Sequence, residues 1–296
     1  MGNIFYNRYE EFTKEINFDF SKHSSIGVGG VARIAFYPKD QMQLKELLAR
    51  LKEEEVGYIV IGNMTNVLPP DKPSDKLIIC TKKMTHFETE NKMFFDAGIK
   101  SGNLLRICCN AGKSGAEFLA GIPCTLGGAL YMNAGVNGRY ISEIVDEVFI
   151  YHDGEMIALK AQECAFDYKN SLFMRTKDVI LGATLRLVDS NKETIKAQEN
   201  VYLKRRAHLP KGKSMGCVFK NTRINGERVS AGKWIEKAGL KGVRCGGAYV
   251  SMEHANFIIN DNHATVKDIK TLIAHIKQEV YRQYQIVLEE EIQYLE

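Results

Sequence analysis

Apolar residues fall at helical spacing in QMQLKELLARLKEE, residues 41–54, where Leu44, Leu47, Leu48 and Leu51 share one face and predict an amphipathic helix. Apolar runs of strand length lie around it: Arg33–Tyr37, ended by Pro38, then Tyr58–Ile61, LIIC at 77–80 and MFFDAG at 93–98. GNMTNVLPPD (62–71) reads as a loop from its Gly, Asn and Pro content. GNLLRICCNAGK (102–113) predicts another helix, and VILGATLRLV (179–188) another strand. In EVFIYHDGEMIALK (147–160), Asp153-Gly154 sits between alternating segments and predicts a hairpin. Residues 191–209 are polar and helix-prone. Beyond them the pattern predicts a strand in GCVFKN (216–221), a helix in AGKWIEKA (231–238) closed by Gly239, and a strand in HANFIIN (254–260). A long helix and a last strand, IVLEEEIQYL (286–295), follow. Thr265 and Asp268 suit a capping box at the start of that helix, and Ile269, Leu272, Ile273, Ile276 and Val280 line one face. The whole predicts an α+β protein with many short strands and no internal repeat.

Composition narrows the class. The 296 residues suggest about two domains. With 45% hydrophobic and 26% charged residues the balance is that of a globular protein. The net charge of +4 is spread out, without a run of five or six like charges, so nothing argues for nucleic acid. Lys204-Arg205-Arg206 is the one tight basic cluster; it suits either a helix C-terminus or an anionic small molecule. The seven cysteines, at 80, 108, 109, 124, 164, 217 and 245, form no Cys-x-x-Cys pair, which excludes a zinc ribbon and fits a reducing compartment. The N-terminus has no apolar leader core, Tyr6 replaces the Ser or Thr of a myristoylation signal, and no apolar run reaches 18 residues. We therefore expect a cytoplasmic protein without membrane contact. The histidines lack metal-ligand spacing, so no metal is expected.

The densest glycine stretch is GIPCTLGGALYMNAG, residues 121–135, with Gly138 beyond it. Such density means close backbone approach, φ > 0, or tight helix packing through small residues. Consecutive N–H groups there offer a cradle for phosphate oxygens. Neither the Rossmann nor the P-loop pattern is present. GNMTNVL, taken alone, is an ordinary polar turn, His254 alone reads as structural, and Cys217 in SMGCVFKN alone reads as a small core residue. In the last strand, Glu290 is expected to face away from Glu289 and Glu291.

Eight blocks in order resemble the UDP-N-acetylenolpyruvoylglucosamine reductase family. AGIPCTLGGALYMNAG (120–135) is similar to its flavin-binding GIPGTVGGAVYMNAG, and GNMTNVL to GNGSNLL. HSSIGVGGVA (23–32), YKNSLF (168–173) and GCVFKN resemble HTSFKIGGPA, YRxSxF and GSVFKNP. AGKWIEKAGLKG (231–242), GGAYVSMEHANFIIN (246–260) and LEEEI (288–292) resemble AGKLIEEAGLKG, GGAQVSxKHANFIVN and LEPEV. The resemblance implies a vanillyl-alcohol-oxidase (PCMH)-type FAD domain of two α+β subdomains, residues 1–80 and 81–190, and an α+β substrate-binding domain at 191–296. It also implies an enzyme of peptidoglycan precursor synthesis. NADPH would reduce FAD, and hydride would pass to C3 of UDP-N-acetylglucosamine enolpyruvate, giving UDP-N-acetylmuramate.

Carried over by position, the resemblance implies Cys217 as the acid that protonates C2, with Lys169 and Glu291 as the other catalytic residues. The flavin would be held by Gly62, Asn63, Met64, Thr65, Asn66 and Val67, and by Gly121, Ile122, Pro123, Thr125, Gly127, Gly128, Asn133, Ala134 and Gly135. The nucleotide sugar would meet Tyr168, Arg205, Arg206, Lys220, Asn221, Tyr249 and His254. Four departures from the family's motifs bear on the chemistry. Cys217 replaces a serine, with a far more acidic group. Lys169 replaces an arginine and loses its planar fork. Met64 replaces a glycine, and Tyr249 a glutamine. Lys169 and Tyr249 keep open a flavin oxidoreductase of the same fold acting on another substrate; Met64 keeps open a non-catalytic binding homologue. A monomer is compatible with all three.

Overall fold

The computed structural model describes residues 9–295. The reading of a missing leader and of Tyr6 lies outside them. The chain divides into two compact units. The first comprises Met1–Asn17, Arg33–Asn63 and Asp75–Ala207; the second comprises Phe18–Ala32, Met64–Ser74 and His208–Glu296.

Two larger sheets lie in the first unit. Strands β1 (Lys14–Asp19), β2 (Val31–Phe36), β3 (Tyr58–Ile61) and β4 (Leu77–Cys80) form one, in the order β1-β2-β4-β3. β4 runs parallel to both β2 and β3. A parallel strand inside a sheet is covered on both faces, which is why LIIC is apolar at every position and buried throughout. The crossover from β2 to β3 is helix α1 (Gln41–Glu53). Asp40 caps it by accepting the Gln43 N–H at 2.8 Å. Leu44, Leu47, Leu48 and Leu51 are all buried, packed in one core with Ile34, Phe36, Leu77 and Ile79.

The second sheet is antiparallel: β5 (Phe87–Glu88), β6 (Met93–Asp96), β7 (Val145–His152), β8 (Glu155–Lys160) and β9 (Val179–Leu185), in the order β8-β7-β9-β6-β5. The β7–β8 turn puts Asp153 at φ 47° and Gly154 at φ 100°, the left-handed pair that an Asp-Gly hairpin needs. Helices α2 (Ser101–Asn110) and α3 (Leu126–Tyr131) contribute Leu104, Leu105, Leu126 and Leu130 to the core with Phe95, Val148 and Ala183. Helix α4 (Lys192–Arg206) buries only Ile195.

The second unit is built on the antiparallel strands β10 (Arg244–Cys245), β11 (Ala248–Val250) and β12 (Ile258–Asn260), with helices α5 (Ala231–Lys237) and α6 (Val266–Tyr284). Gly239 stops α5 at φ 73°; its N–H bonds the Glu236 carbonyl at 3.0 Å. The capping box of α6 is formed: Thr265 accepts from the Asp268 N–H at 3.1 Å, and Asp268 accepts from the Thr265 N–H at 2.9 Å. Ile269, Leu272, Ile273, Ile276 and Val280 enter the core with Val218, Phe219, Ile235 and Val250.

Three expected strands are corrected. GCVFKN is not a regular strand but makes two isolated bridges, Cys217 with Phe257 and Phe219 with Glu290. The segment changes partner after one residue because the Asn256 side chain takes the Phe219 backbone, accepting its N–H at 2.9 Å and donating to its carbonyl at 2.8 Å. In HANFIIN the strand begins only at Ile258, since His254–Phe257 is a turn closed by a 2.9 Å bond from the Phe257 N–H to the His254 carbonyl. The last segment is strand only at Gln293–Tyr294, paired in parallel with Val67–Leu68. Before that its N–H and carbonyl groups serve the Cys217 segment instead of a continuous ladder.

Candidate functional site

In the first unit the glycine stretch wraps the start of α3. The expected cradle of N–H groups is not available at the helix start. Leu126 and Gly127 donate to the carbonyls of Ile99 and Ala97, both at 2.8 Å. Gly128 donates to Thr125 Oγ1, a long bond of 3.4 Å. The glycines serve several ends. A Cβ on Gly127 would lie 3.0 Å from that of Ala97, and one on Gly135 would lie 2.2 Å from the Arg139 carbonyl oxygen, so these two are packing glycines. Gly121 is needed for φ +77°. Gly128 differs: it is exposed, and only Thr125 Oγ1 comes within 4 Å of its Cβ position.

Gly62 and Asn63 join this place. A Cβ on Gly62 would stand 2.3 Å from Thr125 Oγ1, and Asn63 Nδ2 donates to the Pro123 carbonyl at 2.8 Å. Ser101 Oγ holds the Ile122 carbonyl, and burial pushes the Cys124 thiol up to about 11. No acidic residue occurs between 118 and 142. Gly121, Pro123 and Gly128 are exposed and no side chain among them is acidic, so a dinucleotide cofactor would meet an open surface without charge repulsion here.

The Tyr168-Lys169 loop is tied to the same helix. Asn133 donates to the Asp167 carbonyl at 2.9 Å and accepts the Ser142 N–H, while Ser171 Oγ donates to the Tyr131 carbonyl at 2.7 Å. Ala134 continues the turn, with its N–H on the Ala129 carbonyl at 2.7 Å. Asp167 and Asn170 bond each other's backbone, which turns the chain and sets Lys169 at φ 52°. A left-handed lysine is strained by about 1 kcal/mol, held in place by those anchors. Arg206 Nε donates to the Gly121 carbonyl at 3.1 Å, whereas Arg205 lies over the Tyr202 ring.

The second unit holds Met64–Val67 and the remaining candidates. Met64 keeps φ 53°, so this position stays left-handed although it is not glycine, and its side chain is buried. The Ser25 N–H bonds its carbonyl at 3.1 Å. Asn66 Nδ2 donates to the Glu291 carbonyl at 3.2 Å, and the Asn66 carbonyl accepts from Gln293 at 2.9 Å. Thr65 is half-buried beside them.

Cys217 sits half-buried in a segment held from two sides. The Val218 N–H reaches the Asn256 carbonyl at 2.9 Å, and the Val218 carbonyl accepts the Glu291 N–H at 2.7 Å. Cys217 and Glu291, far apart in the chain, are thus brought to neighbouring backbone positions. Of the three glutamates, Glu289 is exposed, with Lys220 Nζ 3.8 Å from its Oε2. Glu290 accepts from Lys277 Nζ at 2.7 Å and from the Tyr294 hydroxyl. Burial pushes the Glu290 carboxyl up, but these two donors outweigh it and leave it below the usual carboxylate range.

Asn221 Oδ1 accepts the first N–H of α5, from Ala231 at 3.3 Å. Tyr249 lies under Arg244, 4.5 Å from guanidinium to ring, while Arg244 forms a fork with Asp261. His254 borders a cleft of about 350 Å³ with Ser230, Gly232, Lys233, Glu236, Lys237, Glu253 and Ala255. Burial lowers its pKa, and its Nδ1 accepts the Asn256 N–H at 3.2 Å, so the ring is neutral at pH 7. Asn256, 2% exposed, organises this region, and the sequence reading passed over it; its one signal was a lone amide in an apolar run. Among the described residues no helix is long and apolar enough to cross a membrane, and no three His, Cys, Asp or Glu gather as a metal would need.

The family model described as the C-terminal domain of UDP-N-acetylenolpyruvoylglucosamine reductase matches residues 207–295, and an FAD binding domain model matches residues 32–160. The chain is 36% identical over 299 residues to the UDP-N-acetylenolpyruvoylglucosamine reductase of Caldicellulosiruptor bescii, covering 97% of this chain and 94% of the relative. Against that of Thermotoga maritima it is 36% identical over 279 residues, covering 92% and 95%. The crystal structure of the reductase from Thermus caldophilus is similar over 96% of this chain and 99% of its own, with TM-score 0.81 and 30% identity. The chain belongs to the UDP-N-acetylenolpyruvoylglucosamine reductase family, FAD-binding oxidoreductases of peptidoglycan precursor synthesis.

Proposed function

We propose that this protein reduces UDP-N-acetylglucosamine enolpyruvate to UDP-N-acetylmuramate, with Cys217 as proton donor and Lys169 and Glu291 as its catalytic partners. When bound, FAD reduced by NADPH would supply the hydride that C3 of the enolpyruvyl group receives. The π electrons of the double bond then move toward the substrate carboxylate. Lys169 meets the growing charge as a cation, and Glu291 is the other side chain assigned to this step. The Cys217 thiol gives its proton to C2, which completes the saturated lactyl ether, and takes another from solvent. A thiol, with an ordinary pKa of about 8.5, gives up a proton far more readily than an alkanol.

The flavin is assigned to residues 62–67 and to Gly121, Ile122, Pro123, Thr125, Gly127, Gly128, Asn133, Ala134 and Gly135, and the nucleotide sugar to Tyr168, Arg205, Arg206, Lys220, Asn221, Tyr249 and His254. Arg205, exposed at the end of α4, is the freer of the two arginines for a diphosphate. On this reading residues 1–80 and 81–190 serve the cofactor and 191–296 the substrate, in a monomer of the cytoplasm.

One observation carries the chemical assignment. The Glu291 N–H on the Val218 carbonyl at 2.7 Å brings the carboxyl-bearing residue to the backbone next to Cys217 in the second unit, which supports a shared role. The test is a stopped-flow comparison of two half-reactions. Cys217→Ala keeps flavin reduction by NADPH and loses reoxidation by the enolpyruvyl nucleotide about a hundredfold or more, while Cys217→Ser retains substantial rate. Equal reoxidation in all three proteins would remove Cys217 from the mechanism. A chain that takes up no FAD would overturn the enzyme reading. FAD uptake and NADPH oxidation without turnover of this nucleotide would favour another substrate.

A further inference from the structure

We propose that Glu290, clamped by Lys277 and Tyr294, is a positioning residue that fixes the backbone on which Glu291 and the Cys217 segment meet. It rests on the assignment of Cys217 and Glu291 above.

The geometry is local. Glu290 bridges Phe219, and the two hydrogen bonds that frame this bridge belong to its neighbours: the Lys220 N–H on the Glu289 carbonyl at 2.8 Å, and the Glu291 N–H on the Val218 carbonyl at 2.7 Å. Rotation of the chain at Glu290 therefore moves both. The surrounding segment 285–289 has no regular secondary structure to resist such a rotation. Leu288 and Ile292, buried two residues to either side, anchor the segment, and between them the Glu290 side chain adds a polar clamp. One oxygen takes Lys277 Nζ at 2.7 Å and the other takes the Tyr294 hydroxyl. Lys277 stands on α6, whose Ile273, Ile276 and Val280 are buried in the core. Tyr294 lies in the short strand paired with Val67–Leu68, with Lys270 Nζ 5.0 Å from the centre of its ring. The carboxylate thus ties the end segment to a rigid helix and to a strand at once. Along an extended chain Glu290 points away from Glu291, so its effect on that residue runs through the backbone.

The same geometry names a substitution that keeps the constraint without the charge. The N–H of residue 290 takes no part in the two bonds framing the bridge, so proline there removes neither bond and limits φ directly. The family motif LEPEV carries proline at this place.

The experiment compares Glu290→Ala, Lys277→Met and Glu290→Pro with the parent enzyme, all loaded with FAD. Flavin reduction by NADPH is expected to be unchanged in each. Reoxidation by the enolpyruvyl nucleotide is expected to fall about ten- to a hundredfold in Glu290→Ala and in Lys277→Met, in kcat more than in KM. Glu290→Pro is expected to restore it to within about threefold, even where its thermal midpoint stays below the parent's. Parent-like reoxidation in Glu290→Ala and Lys277→Met overturns the positioning role, as does a rate that follows thermal midpoint across all three variants. If instead the parent itself fails to reduce the nucleotide, or Cys217→Ala matches it, the assignment of Cys217 and Glu291 has failed and not the clamp.

Discussion

Gly62→Ala tests whether the glycine loop and the start of α3 are fitted to one another. The new Cβ would stand 2.3 Å from Thr125 Oγ1, well inside contact distance. Gly62 is not among the left-handed glycines, so alanine is acceptable to the backbone and the cost is the contact itself. Forcing the methyl in costs about 1–3 kcal/mol. Pushing the Thr125 hydroxyl aside also loses the cap of α3, worth at the low end of about 0.5–2 kcal/mol because the Gly128 bond is long at 3.4 Å. The sum, about 2–3 kcal/mol, corresponds to a midpoint lowered by about 2–4 °C per kcal/mol. Thr125→Ala alone costs only the cap. In the double variant the hydroxyl is absent and the nearest atom to the new methyl is the Cβ of residue 125 at 3.5 Å, an ordinary contact. The double variant is therefore expected to match Thr125→Ala within about 0.5 kcal/mol, a favourable coupling of about 2–3 kcal/mol, equal to the whole cost of Gly62→Ala alone. Thermal unfolding without added FAD gives the stabilities, and FAD titration gives the affinities, because ligand linkage would blur the two if they were measured together. Additive losses in the double variant would refute the contact as the origin of the cost.

Lys169→Arg restores a planar fork at the turn held by Asp167 and Asn170, and steady-state kinetics are expected to show kcat/KM for the nucleotide sugar raised by about tenfold, with NADPH kinetics unchanged. Thr265→Ala removes half of the capping box of α6 and is expected to cost about 1 kcal/mol in denaturant unfolding at pH 7. Bonds from the Thr265 N–H and hydroxyl hold Asp268 below the ordinary carboxylate value. A depressed carboxyl stabilises fully above its unfolded value, about 3.9, and loses that contribution as pH falls through its folded value. The gap between wild type and Asp268→Asn is thus expected to close below about pH 4 and to stay open above it.

Much of the fold was legible because period and punctuation agreed. The leucines of α1, the Asp-Gly hairpin and the Thr265–Asp268 box each state their structure within a few residues, and each is found where expected. The errors share one cause. GCVFKN, HANFIIN and IVLEEEIQYL have strand-like composition, but their backbone groups bond one another through single bridges and through the Asn256 amide. Periodicity reports which face is buried; it does not report that a side chain 37 positions away replaces a ladder.

The candidate site follows the same division. Glycine density at 121–138 signalled a special backbone, yet the purpose of each glycine depended on a distant neighbour: Ala97 for Gly127, Arg139 for Gly135, Thr125 for Gly62. The N–H groups of Leu126 and Gly127 are taken for that reason, since the carbonyls of Ile99 and Ala97 already occupy them at the start of α3. Cys217 shows the limit most directly. Its immediate neighbours describe a small residue in an apolar segment, and only block resemblance marked it as reactive. What distinguishes it physically is its place between Asn256–Phe257 on one side and Glu289–Glu291 on the other, a junction assembled from three separate parts of the chain. A chemical role there depends on how firmly the junction is held, so the substitutions that should matter most beyond Cys217 and Glu291 are those at Asn256 and Glu290, which touch its backbone and none of its chemistry.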